Sequence, residues 1–350
     1  MKIAILIISL AAALVSGDYL GKNQHGVDIF SINLDLPAEQ RFVEVSAHFK
    51  KEANDVLDEY LNLIPWPLQY VLQKVAGYFW WIQPEYYMEI QGMGPALGID
   101  PKVLLMTQYV YEFSAFCTSV IGYDINGTII HSRNLDFPFA EKMRRITYEG
   151  VYLKDGKELF RAVMFAGING VMTGHRAGFS ISLNERRPSA SSGPGGFLLN
   201  IANIFLGYPQ VQHVIRQTLE ECESYTCAFN KLSTTRQIAP SYYALSGNET
   251  YEGAIITRDR MGPAHIDMLS SERWYVAQTN DDHWTGVCTL RCTYVHENLD
   301  KMGREGFNGE ALVNVLSQWP SNNAKSIYNV LMINERAYFD SQLIANEKPA

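Results

Sequence analysis

The strongest constraint on the fold is a change of texture at Cys117. Before it, Phe49, Ala53, Val56, Leu57, Tyr60, Leu61 and Ile64 recur at three- and four-residue spacing, with Lys50, Lys51, Glu52, Asp55 and Asp58 between them. That is the pattern of an amphipathic helix. Pro65-Trp66-Pro67 breaks it. A more apolar helix is predicted from Leu68 to about Trp81, ended by Pro84. A third opens at Asp100-Pro101, an N-cap followed by proline at the first helical position, and runs toward Phe113. One strand, Phe30 to Pro37, is predicted ahead of these helices.

From Cys117 onward the period changes to that of strands. "CTSVIGYD", then Asn126-Gly127, then "TIIHSRNLDF" reads as strand, type I′ turn, strand. "RRITYEGVYLKDGKELFRAVMFAG", turning at Asp155-Gly156, and "GFSISLNERR" continue the pattern. Arg186–Gly196 reads as a flexible loop. Helices are predicted over Gly196–Phe205 and Val211–Lys231, then strands "SYYALSG", "YEGAIITRD" and "RWYVAQTN". A helix near Gly309–Gln318 and a strand "SIYNVLMINE" follow. Strands, then two helices, then strands again describe a layered α/β sandwich.

The N-terminus carries Lys2, an apolar run from Ile3 to Val15, then Ser16 and Gly17. The run is too short for a comfortable bilayer span and reads as a secretory signal peptide over residues 1–17. Sequons at Asn126 and Asn248 agree with lumenal passage as glycosylation sites. A net charge of −8 leaves no global basic footprint for nucleic acid. Of five cysteines, Cys222/Cys227 and Cys288/Cys292 form close pairs and Cys117 stands alone. The four can be paired locally or with one another. Their spacing is not CxxC and no histidine cluster accompanies them, so no metal is expected.

No GxSxG, HExxH, Walker loop or GxGxxG occurs, and the eight histidines show no obvious partner for a serine or cysteine. A lone cysteine among aromatics is more often core than nucleophile. A thiol has, however, another route to activation. If the preceding bond is cut, the new α-amine, with a pKa of about 7.7–8.0, can accept the proton of its own side chain. Cys117 begins a strand, where such a nucleophile belongs.

"FCTSVIGYDINGTIIHSRNLDFPF" resembles the start of the mature β-subunit in the acid ceramidase / N-acylethanolamine acid amidase family, lysosomal N-terminal nucleophile amidases. "INLDLP", "MEIQGMG", "YVYEFSAFCTS", "FAGINGVMTG", "SLNERR", "YEGAIITRDR" and "WYVAQTNDDHW" extend the resemblance over nearly all of the chain after the leader. It implies a four-layer αββα N-terminal nucleophile hydrolase sandwich (α/β, α+β) with an N-terminal helical α-subunit. It also implies autocleavage between Phe116 and Cys117 at acidic pH, giving an α-subunit of 18–116 and a catalytic β-subunit of 117–350, paired as an α/β heterodimer. By motif position Cys117 is the nucleophile, Arg133 and Asp136 line the site, Glu185 follows, and Asn280 supplies an oxyanion donor. Arg291 in "CTLRCT" is the best match to a family arginine segment. No cofactor is implied.

In those roles Asp136 would accept from the new amine and Glu185 would hold Arg133. Arg133 and Asp136, three apart on one strand, share a face only if a bulge intervenes. Acid ceramidase joins its subunits by a disulfide; residues 18–116 here contain no cysteine, which favours the ethanolamide-hydrolysing branch. "SLNERR" looks more like the ceramidase version. The expected substrate is therefore a fatty-acid ethanolamide in the lysosome (or outside the cell), with ceramide as the alternative. An inactive lipid-binding relative or an uncleaved storage proprotein is the remote one. Trp80 and Trp81 are candidates for peripheral contact with a membrane surface.

Overall fold

The computed structural model describes residues 17–75, 79–109 and 116–344, so all of the expected leader but Gly17 lies outside the described residues. Two strands come first, β1 (Tyr19–Lys22) and β2 (Asp28–Asn33). Helices follow: α1 (Val43–His48), α2 (Lys50–Leu63), α3 (Trp66–Val75), α4 (Phe79–Ile82), α5 (Pro84–Leu97) and α6 (Pro101–Thr107). Next are β3 (Phe116–Tyr123), β4 (Ile129–Asp136), α7 (Ala140–Arg145), β5 (Thr147–Lys154), β6 (Lys157–Phe165), β7 (Thr173–Arg176) and β8 (Phe179–Glu185). A helical stretch holds α8 (Pro188–Ser192), α9 (Gly196–Phe205), α10 (Val211–Glu221) and α11 (Tyr225–Thr234). Then come β9 (Ser241–Ser246), β10 (Gly253–Arg258), β11 (Pro263–Met268), β12 (Tyr275–Gln278), α12 (Leu290–Gly306), α13 (Gly309–Ser317), β13 (Ser326–Ile333) and β14 (Tyr338–Leu343).

The strands form a nine-stranded sheet, β1-β2-β5-β6-β7-β8-β9-β10-β11, and a five-stranded one, β12-β3-β4-β13-β14. The sheets face each other through β3 and β4 against β8 and β9, and through β12 against β10. Helices α10 and α11 cover the larger sheet; α12 and α13 cover the smaller. These are the four layers expected of an αββα sandwich. The N-terminal segment is not a separate body: Phe42, Val45, Phe49, Val56, Tyr60 and Leu104 share one buried core with Tyr148, Tyr152, Ile168 and Ile215.

Several local expectations change. The early strand is Asp28–Asn33, followed by a turn and a 3-10 turn at Ala38–Gln40, so it stops short of Pro37. The apolar helix predicted from Leu68 begins earlier, at Trp66; it is described to Val75, and Phe79–Ile82 is helical, with 76–78 outside the described residues. Arg186–Gly196 is not a loop throughout, since α8 and a 3-10 turn at Gly193–Gly195 occupy it. The helix expected over Val211–Lys231 is two helices, parted at Cys222. Asp155 and Gly156 both have positive φ, 50° and 69°, as a type I′ turn requires. Asn126-Gly127 does not form one. Gly127 N–H donates to Asp124 across a turn whose central residues are Ile125 and Asn126, and only Gly127, at φ 86°, is left-handed.

"MEIQGMG" has a packing reason. Helix α5 lies so close to the 3-10 turn that a Cβ on Gly92 would sit 1.8 Å from the Glu39 carbonyl oxygen. Both disulfides are local, Cys222–Cys227 at the α10–α11 corner and Cys288–Cys292 at the start of α12. Cys117 is the free cysteine, and it is buried. Asn126 and Asn248 are both exposed, each in a connection between strands.

Candidate active site

Strands β3 and β4 pair without interruption from Phe116↔Asp136 to Tyr123↔Ile129. Cys117 lies opposite Leu135, and Ser119 opposite Arg133. Side chains alternate across a strand, so Cys117 and Arg133 share one face and Asp136 takes the other. No bulge brings Arg133 and Asp136 together; the irregularity is on β13, between Ser326 and Tyr328. It sets Ser326 Oγ to donate to Asp136 Oδ1 at 2.6 Å.

On the thiol face, Arg133 Nη2 donates to Cys117 Sγ at 2.8 Å and to the Leu183 carbonyl at 2.7 Å. Nη1 donates to the Met172 carbonyl, to Tyr328 Oη at 3.0 Å and to Thr173 Oγ1. The guanidinium is fully buried and held by carbonyls and hydroxyls of three other strands and the loop before β7. Its fork geometry lets one cation meet all of them at once. The expected hold by Glu185 is thus supplied by these neutral groups. Glu185 enters the site through its main chain, where its carbonyl accepts from Asn280 Nδ2 at 2.9 Å.

Asn280 lies just past β12. Its Oδ1 accepts from Cys117 N at 2.9 Å and from Arg291 Nη2 at 2.7 Å. Arg291 Nη1 reaches Asp136 Oδ2 at 2.7 Å, and Asn323 Nδ2 donates to the same oxygen at 2.9 Å. So the group on the Cys117 nitrogen is the Asn280 amide oxygen. Asp136 acts two links away, through Arg291. Burial pushes the Asp136 carboxyl up from the ordinary carboxylate range; Arg291, Ser326 and Asn323 oppose that in part. One of the two Asn280 Nδ2 hydrogens goes to the Glu185 carbonyl.

All six sequence-derived candidates, Cys117, Arg133, Asp136, Glu185, Asn280 and Arg291, therefore fall in one cluster. Reading the sequence missed Thr173 and Tyr328, which cradle Arg133, and Asn323 and Ser326, which hold Asp136. It also missed a polar seam between the sheets. His131 Nε2 and Ser182 Oγ are 2.8 Å apart, Ser182 and Ser119 hydroxyls 2.8 Å, and Ser119 donates to Asn184 Oδ1 at 2.7 Å. The signal was present in "FSISLNE", where Ser180, Ser182 and Asn184 alternate with apolar residues on a strand buried on both faces. Burial and the Arg133 charge push His131 down to about 3, so it stays neutral in acid and the seam keeps its hydrogen bonds. Among the described residues, no group of three or more His, Cys, Asp or Glu is placed to hold a metal.

The family model for the beta subunit of N-acylethanolamine-hydrolyzing acid amidase matches residues 26–81, which lie ahead of Cys117. N-acylethanolamine-hydrolyzing acid amidase from Mus musculus is 33% identical over 91% of this chain and 89% of its own. Acid ceramidase from Homo sapiens is 30% identical over 90% of this chain and 85% of its own. The solved structure of a Caenorhabditis elegans N-acylethanolamine-hydrolyzing acid amidase ortholog superimposes with a TM-score of 0.60 at 30% identity, covering 65% of this chain and all of that one. Identity at that level over nine-tenths of the chain, with a free thiol at the head of a strand in an αββα sandwich, places the chain in the N-acylethanolamine acid amidase / acid ceramidase family of amide-hydrolysing N-terminal nucleophile enzymes.

Proposed function

We propose that the protein hydrolyses fatty-acid ethanolamides in the lysosome, using Cys117 as an N-terminal nucleophile after cleavage of Phe116–Cys117. One observation carries the reading: Cys117 has its sulfur on Arg133 and its nitrogen on Asn280, at the first turn of the strand where a new N-terminus would lie. In the precursor, the thiol attacks the Phe116 carbonyl and water hydrolyses the resulting thioester, freeing the Cys117 amine. In turnover that amine takes the thiol proton as sulfur attacks the substrate carbonyl. It then delivers the proton to the leaving amine. Water releases the fatty acid from the thioester. Arg133 Nη2, 2.8 Å from the sulfur, stabilises negative charge that develops there during attack. The second Asn280 Nδ2 hydrogen faces the developing oxyanion; one such donor is worth about 3–4 kcal/mol.

The ethanolamide branch is favoured over ceramide by the disulfides. Both lie within 117–350, so no disulfide would join the two pieces of a cleaved chain. A membrane-borne substrate is in keeping with the surface. Trp66, Tyr70 and Trp81 are exposed on α3 and α4, as are Leu198, Leu199, Phe205 and Leu206 on and after α9. The two groups adjoin, since Gly207 packs against Ile82. No helix among the described residues is long and apolar enough to cross a membrane, so contact would be peripheral. The side chain of Trp80 lies outside the described residues.

Incubation at acidic pH with N-terminal sequencing tests the mechanism. A fragment beginning at Cys117, absent in Cys117→Ala, is the expected result. Wild-type amidase activity from an uncut chain would refute it. Palmitoylethanolamide against ceramide then decides the branch. Trp81→Ala should lower turnover on vesicle-borne substrate more than on detergent-dispersed substrate; equal effects would remove the membrane role.

A further inference from the structure

The strand ladder does not fix Asn280. Pairing of β12 with β3 ends at Gln278↔Ser119, and Asn280 lies two residues beyond it. What holds this stretch comes from the opposite sheet. Three consecutive residues at the end of β8 grip it in turn. Asn184 Nδ2 donates to the Gln278 carbonyl at 2.7 Å and the Thr279 carbonyl at 3.1 Å. The Glu185 carbonyl accepts from Asn280 at 2.9 Å. Arg186 then forks onto Asp282, Nε to Oδ1 at 2.8 Å and Nη2 to Oδ2 at 2.7 Å.

That last tie is charged and bidentate, with the Arg186 side chain at 4% exposure and that of Asp282 at 13%. Tyr242, also from the larger sheet, donates to Asp282 Oδ1 at 2.7 Å. Arg186 Nη1 reaches Asp259 Oδ1 at 2.5 Å from the other side. Neither Arg186 nor Asp282 touches the sulfur. Yet they anchor the far end of a short span whose middle must satisfy both the Cys117 nitrogen and Arg291 with one amide oxygen.

We propose that Arg186 and Asp282 are positioning residues that fix Asn280 against the Cys117 nitrogen across the seam between the two sheets. The proposal rests on the functional reading above. A misplacement of about 1 Å at such a group can cost about 100-fold in rate. Substrate is not contacted by the pair, so kcat falls while KM holds. Asn280 accepts from the Cys117 nitrogen, the atom that relays the proton in the proposed reaction, so loosening it moves the pH profile.

The test compares Asp282→Asn, Arg186→Gln and Arg186→Lys with wild type, on fatty-acid ethanolamide, with rates normalised to cleaved enzyme. Asp282→Asn and Arg186→Gln should lower kcat by about 10–100-fold with KM nearly unchanged, and displace the acid limb of kcat/KM. Arg186→Lys should recover part of the loss, keeping the charge without the fork. Asp259→Asn, which removes only the outer partner, should behave as wild type. Wild-type kcat and pH profile in both Asp282→Asn and Arg186→Gln would overturn the proposal. So would a loss matching the unfolded fraction, with the profile unmoved. If Asp282→Asn does not fold, Arg186→Lys decides by the same profile. A wild type inactive on every amide would overturn the functional reading, and this proposal with it.

Discussion

At the scale of single residues, Arg133 is the buried cation that meets the Cys117 sulfur. Its guanidinium spans the Cys117 sulfur, two carbonyls and two hydroxyls. Lysine has a point charge and cannot reach them together. Arg133→Lys should therefore destabilise the protein by about 2–3 kcal/mol, from acceptors left unmet, and lower kcat by about 100-fold or more. Thermal unfolding and steady-state kinetics check the two halves separately; a wild-type rate would mean the thiol needs no cation. The acidic and basic site residues were legible as motif words in the sequence. Their partners were not, because Thr173, Tyr328, Asn323 and Ser326 are ordinary strand and turn residues until pairing aligns them. The Arg133–Asp136 spacing shows why. Alternation put them on opposite faces, and the contact between their two networks runs through Asn280 and Arg291, over 140 positions away in sequence.

At the scale of elements, helices with clear caps were legible and the connections between them were not. Asp100 caps α6 by accepting from Lys102 N at 2.8 Å, as its sequence announces. Helix α12 went unread, because its apolar positions are sparse and a disulfide tethers its first turn. That tether presents Arg291 to Asn280. The α5 contact gives a clean test. A methyl on Gly92 has nowhere to go, so Gly92→Ala should cost about 3 kcal/mol or more, although alanine favours helix elsewhere. Chemical denaturation measures it; a neutral or stabilising change would mean α5 can slide away from the 3-10 turn.

At the scale of the whole molecule, a buried charge cluster ties the N-terminal segment to the sandwich. Arg216 of α10 grips Glu89 of α5 through both oxygens, at 2.5 and 2.6 Å, and Arg41 reaches Glu89 at 3.2 Å. Glu89→Gln removes the carboxylate the two arginines share, leaving Arg216 with Glu220 and Arg41 with Glu85. It should cost about 3–5 kcal/mol and, in acid-processed protein, release the N-terminal piece on gel filtration. Co-elution at wild-type stability would assign the association to apolar packing alone. Acid acts on the whole fold through buried histidines. Burial pushes His175 down to about 4 and His131 to about 3, and His213 well below its ordinary value. Their folded pKa values are depressed, so their contribution is whole above about 6.5 and shrinks as pH falls from there toward the folded values. Asp136 and Glu220, held above their ordinary values by burial, work the other way. His175→Gln should thus lose less Tm than wild type between pH 7 and 4.5; an equal loss would clear His175.

The N-terminal segment does one more thing through β2. It lies parallel to β5 from Asp28↔Tyr148 to Asn33↔Leu153, inside the larger sheet. A cut at Phe116–Cys117 severs the polypeptide but not that hem. Stripped of the first hundred residues, the catalytic piece would show six residues of bare backbone along β5, an invitation to pair with any passing strand. In a cleaved chain the smaller fragment would then guard against self-association as well as form a helical cover, and losing it would cost solubility before it cost chemistry.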